Sequence, residues 1–414
     1  MAWSFRWLCS WDEVWGSANL RDWLAPFASG SGALVTPFMH PDFARAWLDA
    51  VGGEAALDPY FLCASDSGGG KAYWLLVRPK PRWWRGRLLS LMPVGSPAPP
   101  FGDQAKVAAY YEPIFTRGPL APGEGADFWS AFLRELDSMA GTGFDNFSIT
   151  RFRVDCVGSP EQSRPYATAP YLRLARYPDV ESYLAARRPR VRGSIRRRLR
   201  HMEAAGRVEM RVHACDDADG VLAWLPRLEA ERFRRHGARP SLPGFLPGIV
   251  RLGLGSGIAH CSTLLLDGRA ISWKFGYLAG GEYHGYYRAF DPAFEQLSPG
   301  VVHFYRLIEW MLENGGHTID FGIGGHAYKY EWTDGAAWEV RGLHLDSPAA
   351  ISQVRRSAAA TLCQAKGLAR RIGVAGAPAV AWPAAPAERA IAGFQADLVP
   401  DVADAGQGRA GRPR

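Results

Sequence analysis

The stretch SPGVVHFYRLIEWMLENGGHTIDFGIGGHAYKYEW, residues 298–332, places a helix, a strand and a glycine-rich turn in succession. Ser-Pro-Gly is a helix-start signal, because serine can cap exposed amides and proline suits the first helical turn. We therefore predict a helix over 299–313 and a strand over 318–322. A glycine at a helix mouth lets an anion approach the free N–H groups, so the stretch predicts a phosphate-binding turn. An ordinary turn is the alternative.

The composition indicates a folded protein. The chain has 414 residues, of which 47% are hydrophobic and 12% aromatic, enough for two domains. No window approaches the roughly 18 apolar residues of a membrane helix, and the N-terminal sequence lacks the pattern of a signal peptide. The six cysteines form no CxxC pair, so the sequence indicates neither a metal site nor a disulfide framework. We expect a cytoplasmic location.

The region before residue 298 predicts two helices and then an antiparallel meander. The predicted elements are a helix with Val191, Ile195, Leu199 and Met202 on one face, a helix over 219–235, and strands near 259–266, 270–278 and 283–290. Strict alternation along the third strand places His284, Tyr286, Arg288 and Phe290 on one face, and Tyr283, Gly285, Tyr287 and Ala289 on the other.

A weak internal duplication suggests how the whole chain is organised. Residues 60–77 and 261–278 both read as a hairpin, and 128–149 and 303–323 both read as a helix followed by a short strand. Chance similarity between two α/β segments is the alternative. The duplication predicts two copies of one mixed α/β unit.

The predicted boundaries follow from these units and from composition. We predict an N-terminal unit over 1–165, a C-terminal unit over 166–346 and a basic helix over 347–374. Residues 375–414 are rich in alanine, proline, glycine and arginine, so we expect a disordered tail there.

Three segments resemble a known family. They are RRPRVRGSIRRRLRHMEAAG (187–206), YHGYYRAFDPAFEQLSPG (283–300) and IDFGIGGHAYKYEW (319–332). They resemble the GNAT acyltransferase superfamily, and within it the CelD-like acetyltransferases of cellulose or exopolysaccharide biosynthesis, which are related to the FemAB-type aminoacyltransferases. The resemblance is good over about 175–345 and weaker over 30–150. It implies an α/β (α+β) fold of tandem GNAT-like units, each a mixed, mostly antiparallel sheet flanked by helices.

The resemblance also implies an activity and a donor. It implies an acyltransferase that moves an acyl group from acetyl-CoA or another acyl-CoA to an amine or hydroxyl of a sugar or cell-envelope precursor. Transfer would be direct, because no cysteine or serine stands in a convincing nucleophile motif. The donor's pyrophosphate would lie at the helix mouth. The implied donor-binding residues are Gln296, Ser298, Gly300 and Val301, with Arg288 and Lys329 as basic groups for a phosphate.

Three of the four candidate catalytic residues lie on the predicted strands 283–290 and 318–322, and the fourth, Tyr328, follows the glycine-rich turn. Asp320 is a candidate base, since a carboxylate on a central strand is costly unless it is paired or catalytic. His284 is the other, because an unperturbed histidine has a suitable pKa, although a lone histidine is more often structural or exposed. Tyr287 or Tyr328 could protonate a departing thiolate, although a single tyrosine in a sheet more often serves packing.

The helix mouth departs from the usual family pattern, Q/R-x-x-G-x-G/A. Gln296 and Gly300 are four residues apart, and Val302 stands where a small residue is usual. Two alternatives therefore stay open. One is aminoacyl transfer from tRNA, as in the FemAB-type relatives. The other is a catalytically silent scaffold in polysaccharide assembly.

An arginine-rich run suggests possible partners. Its members are Arg187, Arg188, Arg190, Arg192, Arg196, Arg197, Arg198 and Arg200. The run can be a solvated helix face, or it can meet a polyanion such as tRNA or an anionic membrane surface. The acceptor implied by the resemblance is a small-molecule or lipid-linked glycan, and tRNA is the less favoured partner. Peripheral contact with the inner membrane would be compatible with a cytoplasmic location.

Overall fold

The computed structural model describes residues 2–28, 31–80, 88–97, 107–139, 143–236 and 242–371. The predicted tail over 375–414 lies outside the described residues. The strands are β1 Trp3–Leu8, β2 Leu57–Asp66, β3 Lys71–Pro79, β4 Ser90–Pro93, β5 Ile114–Phe115, β6 Asn146–Arg153, β7 Arg164–Arg173, β8 Val208–Val212, β9 Ala259–Leu266, β10 Arg269–Ala279, β11 Glu282–Phe290, β12 Thr318–Asp320 and β13 Ala337–Asp346.

Helices cover both faces of the sheet that these strands form. They are α1 Trp11–Val14, α2 Ser17–Leu24, α3 Pro41–Ala50, α4 Pro122–Met139, α5 Val154–Val157, α6 Val180–Ala185, α7 Pro189–Ala205, α8 Ala218–His236, α9 Phe245–Ser256, α10 Pro299–Glu313, α11 Ala327–Trp332 and α12 Ala350–Arg371. Within the described ranges, no helix is long and apolar enough to span a membrane.

All of the strands join one sheet of 13 strands. Its order is β1-β2-β3-β4-β6-β13-β7-β12-β11-β10-β9-β8, with β5 beside β3. The N-terminal half (β1–β4 and β6, with α1–α4) and the C-terminal half (β8–β12, with α7–α10) repeat one order. In each half, an antiparallel meander leads through a helix, α4 or α10, to a strand parallel to the last meander strand. The predicted mixed α/β fold of two similar units is confirmed.

The two halves exchange strands where they meet. β7 follows β6 along the chain, yet it pairs with β12 of the C-terminal half. β13 follows β12 along the chain, yet it pairs with β6 of the N-terminal half and also with β7. The centre of the sheet is therefore built from strands that crossed from one half to the other.

The core is continuous across this junction. One apolar cluster contains side chains from both halves, and Phe38 and Phe43 of the N-terminal half pack edge-on against Tyr277 of β10. On the opposite face of the sheet, α10 buries Val302, Tyr305, Leu307, Ile308 and Met311. Their helical spacing explains why α10 lies flat against β9–β11, and each such side chain contributes about 1.5–3 kcal/mol on burial.

Candidate functional site

The parallel pair β11–β12 opens after three residues. Thr318, Ile319 and Asp320 lie opposite Glu282, Tyr283 and His284. The chain then turns away to follow β7, and the amides of Phe321 and Gly324 donate to the carbonyls of Pro170 and Thr168 at 3.0 and 2.8 Å. This turn ends β12 at Asp320, earlier than predicted. Among the described strands, none pairs with residues 285–290 of β11 on this edge, so their main-chain groups line an opening.

The N-terminus of α10 lies over one of the two faces of this opening. Pro299 is in the first turn, as predicted, and a Cβ added at Gly300 would meet only Phe290, at 4.0 Å. The predicted cap by Ser298 is wrong: its side chain makes no capping hydrogen bond. Ser298 instead has left-handed backbone angles (φ 54°, ψ 52°), and its carbonyl accepts from the amide of Val301 at 3.0 Å. A main-chain carbonyl, and not a side chain, therefore accepts the first hydrogen bond of α10. The surface at Gly300 is left uncovered.

A buried histidine anchors α10 over the sheet. The two ring nitrogens of His303 lie 3.0 Å from Ser262 Oγ on β9 and 2.9 Å from Ser272 Oγ on β10. Burial lowers the pKa of His303 well below its usual value, so the ring is neutral and donates to one serine while it accepts from the other. The position of the helix mouth relative to β10 and β11 is thereby fixed.

A pair of basic residues lies beneath this helix. Lys274 and Arg288 are directly opposite each other on β10 and β11. Lys274 is only 5% exposed, its Nζ lies 5.2 Å from the centre of the Phe304 ring on α10, and none of the described residues gives it a hydrogen bond or ion pair. Burial, and secondarily Arg288, lower the pKa of Lys274 to about 7. Because Lys274 has no carboxylate partner among the described residues, its charged form can bind an anion from outside the protein.

The face assignment for β11 is wrong beyond Gly285. Gly276 pairs with Gly285 but Phe275 pairs with Tyr287, so a bulge at Tyr286 interrupts the alternation. Tyr287 consequently lies on the same face as His284, among the aromatic side chains that contact Phe275. Arg288 lies on the opposite face with Lys274.

Lys329 and Tyr328 stand at the edge of the opening, on α11. Lys329 is fully buried, and its Nζ donates to the carbonyls of Gly322 and Ile323 at 3.0 and 2.9 Å. Burial lowers its pKa to about 7. The lysine therefore holds the loop after β12. The Arg288 guanidinium carbon lies 5.2 Å from the centre of the Tyr328 ring, and burial raises the pKa of Tyr328, which keeps its hydroxyl protonated at neutral pH.

Asp320 lies at the closed end of the opening, on the face away from α10. Its side chain is buried, and the Tyr110 hydroxyl donates to both carboxylate oxygens, at 3.1 and 2.8 Å. The Gly322 amide donates to Oδ1 at 2.5 Å. Burial raises the pKa of Asp320, an effect that the neighbouring His284 opposes. A carboxylate with a raised pKa is a stronger base than an exposed aspartate.

His284 lies beside Asp320 but is a weaker candidate base. Burial lowers its pKa to about 3, and neither ring nitrogen has a hydrogen-bond partner within the described part of the chain. Its Nε2 lies 3.3 Å from Glu282 Oε1. The ring is therefore neutral at physiological pH.

A buried ion network from both halves surrounds these residues. Arg153 of β6 donates through Nε to Glu112 Oε1 and through a terminal nitrogen to Glu282 Oε1, each at 2.6 Å. The donor atoms of Glu282, His284 and Asp320 lie within 4.8 Å of one another, a spacing that a metal ion could bridge. Because both carboxylates already accept hydrogen bonds, we assign no metal ligand here.

The remaining predicted donor residues lie apart from this arrangement. Gln296 is exposed, and its Nε2 donates to the Ala293 carbonyl of its own turn at 3.3 Å. Val301 is half-buried against the apolar side of α10. Of the arginine-rich run, Arg187 is buried, is ion-paired to Asp334 and donates to the Thr333 carbonyl at 2.6 Å, so it does not belong to an exposed face.

Sequence reasoning missed five residues of the site. Three of them, Tyr110, Glu112 and Arg153, lie in the N-terminal half and reach the site only through long-range packing, which no local pattern indicates. Glu282 lies two residues before His284 on β11, one residue before the start of the predicted strand. Lys274 could have been found, because it is the one charged residue in the otherwise uncharged strand segment ISWKFGY.

Comparisons with known proteins agree with this architecture. Residues 189–330 match the family model described as "Acetyltransferase (GNAT) domain". The crystal structure of FemX superposes with a TM-score of 0.51 and 12% identity, covering 78% of this chain and 99% of FemX. A tandem GNAT protein from the clavulanic acid biosynthesis pathway gives a TM-score of 0.39 and 11% identity, covering 83% of this chain and 98% of that one. No protein of curated function is significantly similar in sequence.

The family match gives the class of enzyme, and the FemX superposition bears on the fold alone. The family match runs from the start of α7 into α11, the region that contains the opening, Lys274 and Asp320. The FemX superposition supports the two-half fold. The chain therefore contains a GNAT acetyltransferase domain, and its enzyme class is acyltransferase.

Proposed function

We propose that this protein transfers an acyl group from acetyl-CoA or a longer acyl-CoA to an amine or hydroxyl of a sugar or cell-envelope precursor. The observation that carries the proposal is the opening between β11 and β12. It has the mouth of α10 and the Lys274–Arg288 pair on one face, and Asp320 at its closed end on the other. An anionic donor and a proton acceptor can therefore act from opposite faces of one gap.

The donor side suits a phosphate-bearing molecule with an amide-containing arm. Lys274 and Arg288 offer positive charge to a pyrophosphate, and the positive end of the α10 dipole adds to it. The Gly300 amide offers a hydrogen-bond donor, because Pro299 has no N–H and the Val301 amide already donates to the Ser298 carbonyl. The edge of β11 over 285–290 that faces away from β10 lies beside none of the described strands, so it can hydrogen-bond to the amides of an extended pantetheine arm, as a neighbouring strand would. Such an arm leads from the helix mouth toward Asp320.

Direct transfer needs one base and one acid. Asp320 would accept a proton from the acceptor's amine or hydroxyl as its nitrogen or oxygen attacks the thioester carbonyl. The new amide or ester bond forms, the carbon–sulfur bond breaks, and the thiolate takes a proton from Tyr328. Arg288 beside Tyr328 would stabilise the phenolate until it is reprotonated by water.

We expect donor binding to depend on Lys274 and on pH. The free lysine has a pKa of about 7, and a bound phosphate favours its charged form, so affinity should be highest below pH 7 and fall as the pH rises. Lys274→Met should weaken binding about 10- to 100-fold, because hydrogen bonds to charged groups contribute about 1.5–3 kcal/mol. Calorimetric titration with acetyl-CoA, a longer acyl-CoA and free CoA measures both effects.

Two further variants test whether the loss of affinity in Lys274→Met comes from the proposed donor site. Lys71→Met removes an exposed lysine of the β2–β3 hairpin and should leave affinity unchanged. Gly300→Glu places a carboxylate at the helix mouth and should abolish binding, with the fold checked by circular dichroism. Wild-type affinity in both Lys274→Met and Gly300→Glu would exclude this donor site.

The two candidate tyrosines should differ in their effect on turnover. Tyr328 borders the opening, whereas Tyr287 lies in the aromatic cluster on the other face. Tyr328→Phe should lower kcat about 100-fold, the contribution typical of a general acid, and Tyr287→Phe should lower it only slightly. The rate at which the free thiol of CoA is released measures kcat for the two variants. The reverse order would move the acid to the Asp320 face of the sheet.

A second candidate is aminoacyl transfer from tRNA. The observation that favours it is the set of exposed arginines on and just before α7, a helix that packs against α10: Arg188, Arg190, Arg196, Arg197 and Arg200. A polyanion on this surface would reach the mouth of α10. Salt-dependent tRNA binding without CoA binding would support this candidate. Binding of neither would support a catalytically silent scaffold.

A further inference from the structure

The N-terminal half has the same parallel strand pair, but its opening is filled. β4 and β6 pair in parallel through Ser90–Asn146 and Leu91–Phe147, with α4 between them in the chain. The segment 107–115 then fills the space beyond this pair. The Val107 amide donates to the Gly95 carbonyl at 3.0 Å, and the Tyr111 amide donates to the Arg151 carbonyl at 2.9 Å. The segment thus occupies the place where the C-terminal half remains open.

This filling segment is built into the core. Its side chains are buried except for the half-buried Ala109, and its end, β5, pairs with β3. An acyl donor cannot enter the N-terminal half at this position unless the segment leaves. Tyr110, however, extends from the segment to the C-terminal half, where it contacts Asp320. Glu112 contacts Arg153 of β6, which in turn contacts Glu282 of the C-terminal half.

We propose that Tyr110 is a positioning residue for Asp320: the filled N-terminal half supplies a fixed hydroxyl that orients the catalytic carboxylate of the C-terminal half. The proposal rests on the proposed function for the role of Asp320, but not for the contact itself. The hydroxyl reaches both carboxylate oxygens, so it restricts rotation of the group and stabilises its ionised form.

The surroundings hold the Tyr110 ring in place. The Arg153 guanidinium carbon lies 4.8 Å from the ring centre, and Phe38 packs edge-on at 6.3 Å. The titratable and charged groups that face Asp320 are Tyr110, Glu282, His284, Arg153 and Lys329. Of these, Tyr110 is the side chain that donates a hydrogen bond to Asp320 within the described residues; the other donor is the Gly322 amide.

The test compares Tyr110→Phe with Tyr111→Phe in the full-length protein. Tyr111 is an equally buried neighbour whose hydroxyl donates to the Gly95 carbonyl at 3.1 Å, within its own half. Tyr110→Phe should lower kcat about 10-fold and move the acid limb of the pH–rate profile to higher pH, by up to about one unit. Tyr111→Phe should leave the profile in place.

A second readout does not require activity. The stabilisation from the Tyr110 hydroxyl depends on an ionised Asp320. The stability loss in Tyr110→Phe should therefore be larger at about pH 8 than at about pH 4. In Tyr111→Phe the loss should be the same at both pH values. Denaturant unfolding of the two variants measures this difference.

The outcomes separate this proposal from the proposed function. A pH-dependent loss in Tyr110→Phe alone supports the contact even if the wild-type protein transfers no acyl group, a result that would overturn the proposed function. Equal pH dependence in the two variants, or an unmoved acid limb in Tyr110→Phe with an active wild type, would overturn the positioning role.

Discussion

Asp320→Asn is expected to lower kcat by about 10²- to 10⁴-fold, the contribution typical of a general base, and to leave donor affinity unchanged. The substitution removes the proton acceptor but keeps the shape of the side chain. The amide oxygen can still accept from Tyr110 and from the Gly322 amide. The donor side of the opening lies on the other face of the sheet, so acyl-CoA should bind as before.

The direction of the pKa shift of Asp320 indicates that the Asp320→Asn variant will fold. Burial raises the folded-state pKa of Asp320 above its unfolded value, so the ionised carboxylate destabilises the fold as the pH rises through that pKa. Asparagine carries no charge and removes this effect. The control is Asp291→Asn, which alters a partly exposed carboxylate that caps a turn and pairs with Arg269. If Asp320→Asn keeps the wild-type kcat, the base must be sought elsewhere in the cluster.

Arg153→Met is expected to reduce the free energy of unfolding by about 3–5 kcal/mol, a large share of the total for a typical protein. Arg153 is fully buried and is the common partner of two carboxylates, Glu112 and Glu282. Its loss leaves both carboxylates without this counter-charge in the interior. Denaturant unfolding measures the loss, and urea midpoints of the variants give the comparison.

Two further variants test whether the loss comes from the buried charges. Arg117→Met breaks an ion pair with Asp66 in which the arginine is half exposed, and it should change stability by less than about 1 kcal/mol. The double variant Arg153→Met, Glu112→Gln neutralises one of the stranded carboxylates and should recover part of the stability. A loss in Arg153→Met no larger than in Arg117→Met would contradict this account.

The local parts of the fold could be predicted from the sequence. The predicted helix over 299–313 is α10 at Pro299–Glu313, and the strand predicted near 259–266 is β9 at Ala259–Leu266. Both follow from hydrophobic periodicity and from start signals within a few residues, which are local properties. The repeated hairpin and helix–strand patterns likewise predicted two similar units.

The details that shape the site depend on long-range pairing and could not be predicted. The bulge at Tyr286 arises from register against β10, and alternation within β11 cannot reveal it. Tyr110 and Asp320 are 210 positions apart and meet only in the folded sheet. Helix α9 and strand β8 were not predicted. β8 is short, and α9 is so apolar and glycine-rich that it shows no clear helical stripe.

The strand exchange has a consequence for synthesis on the ribosome. β6 and β7 belong to the first 173 residues, but the strand that fills the space between them, β13, is made only at Ala337–Asp346. The edges of β6 and β7 that pair with β13 therefore stay unpaired while the intervening chain is translated. Unpaired strand edges are prone to aggregation. A nascent chain stopped near residue 330 should therefore resist proteolysis far less than one released after residue 346, however complete its first half is.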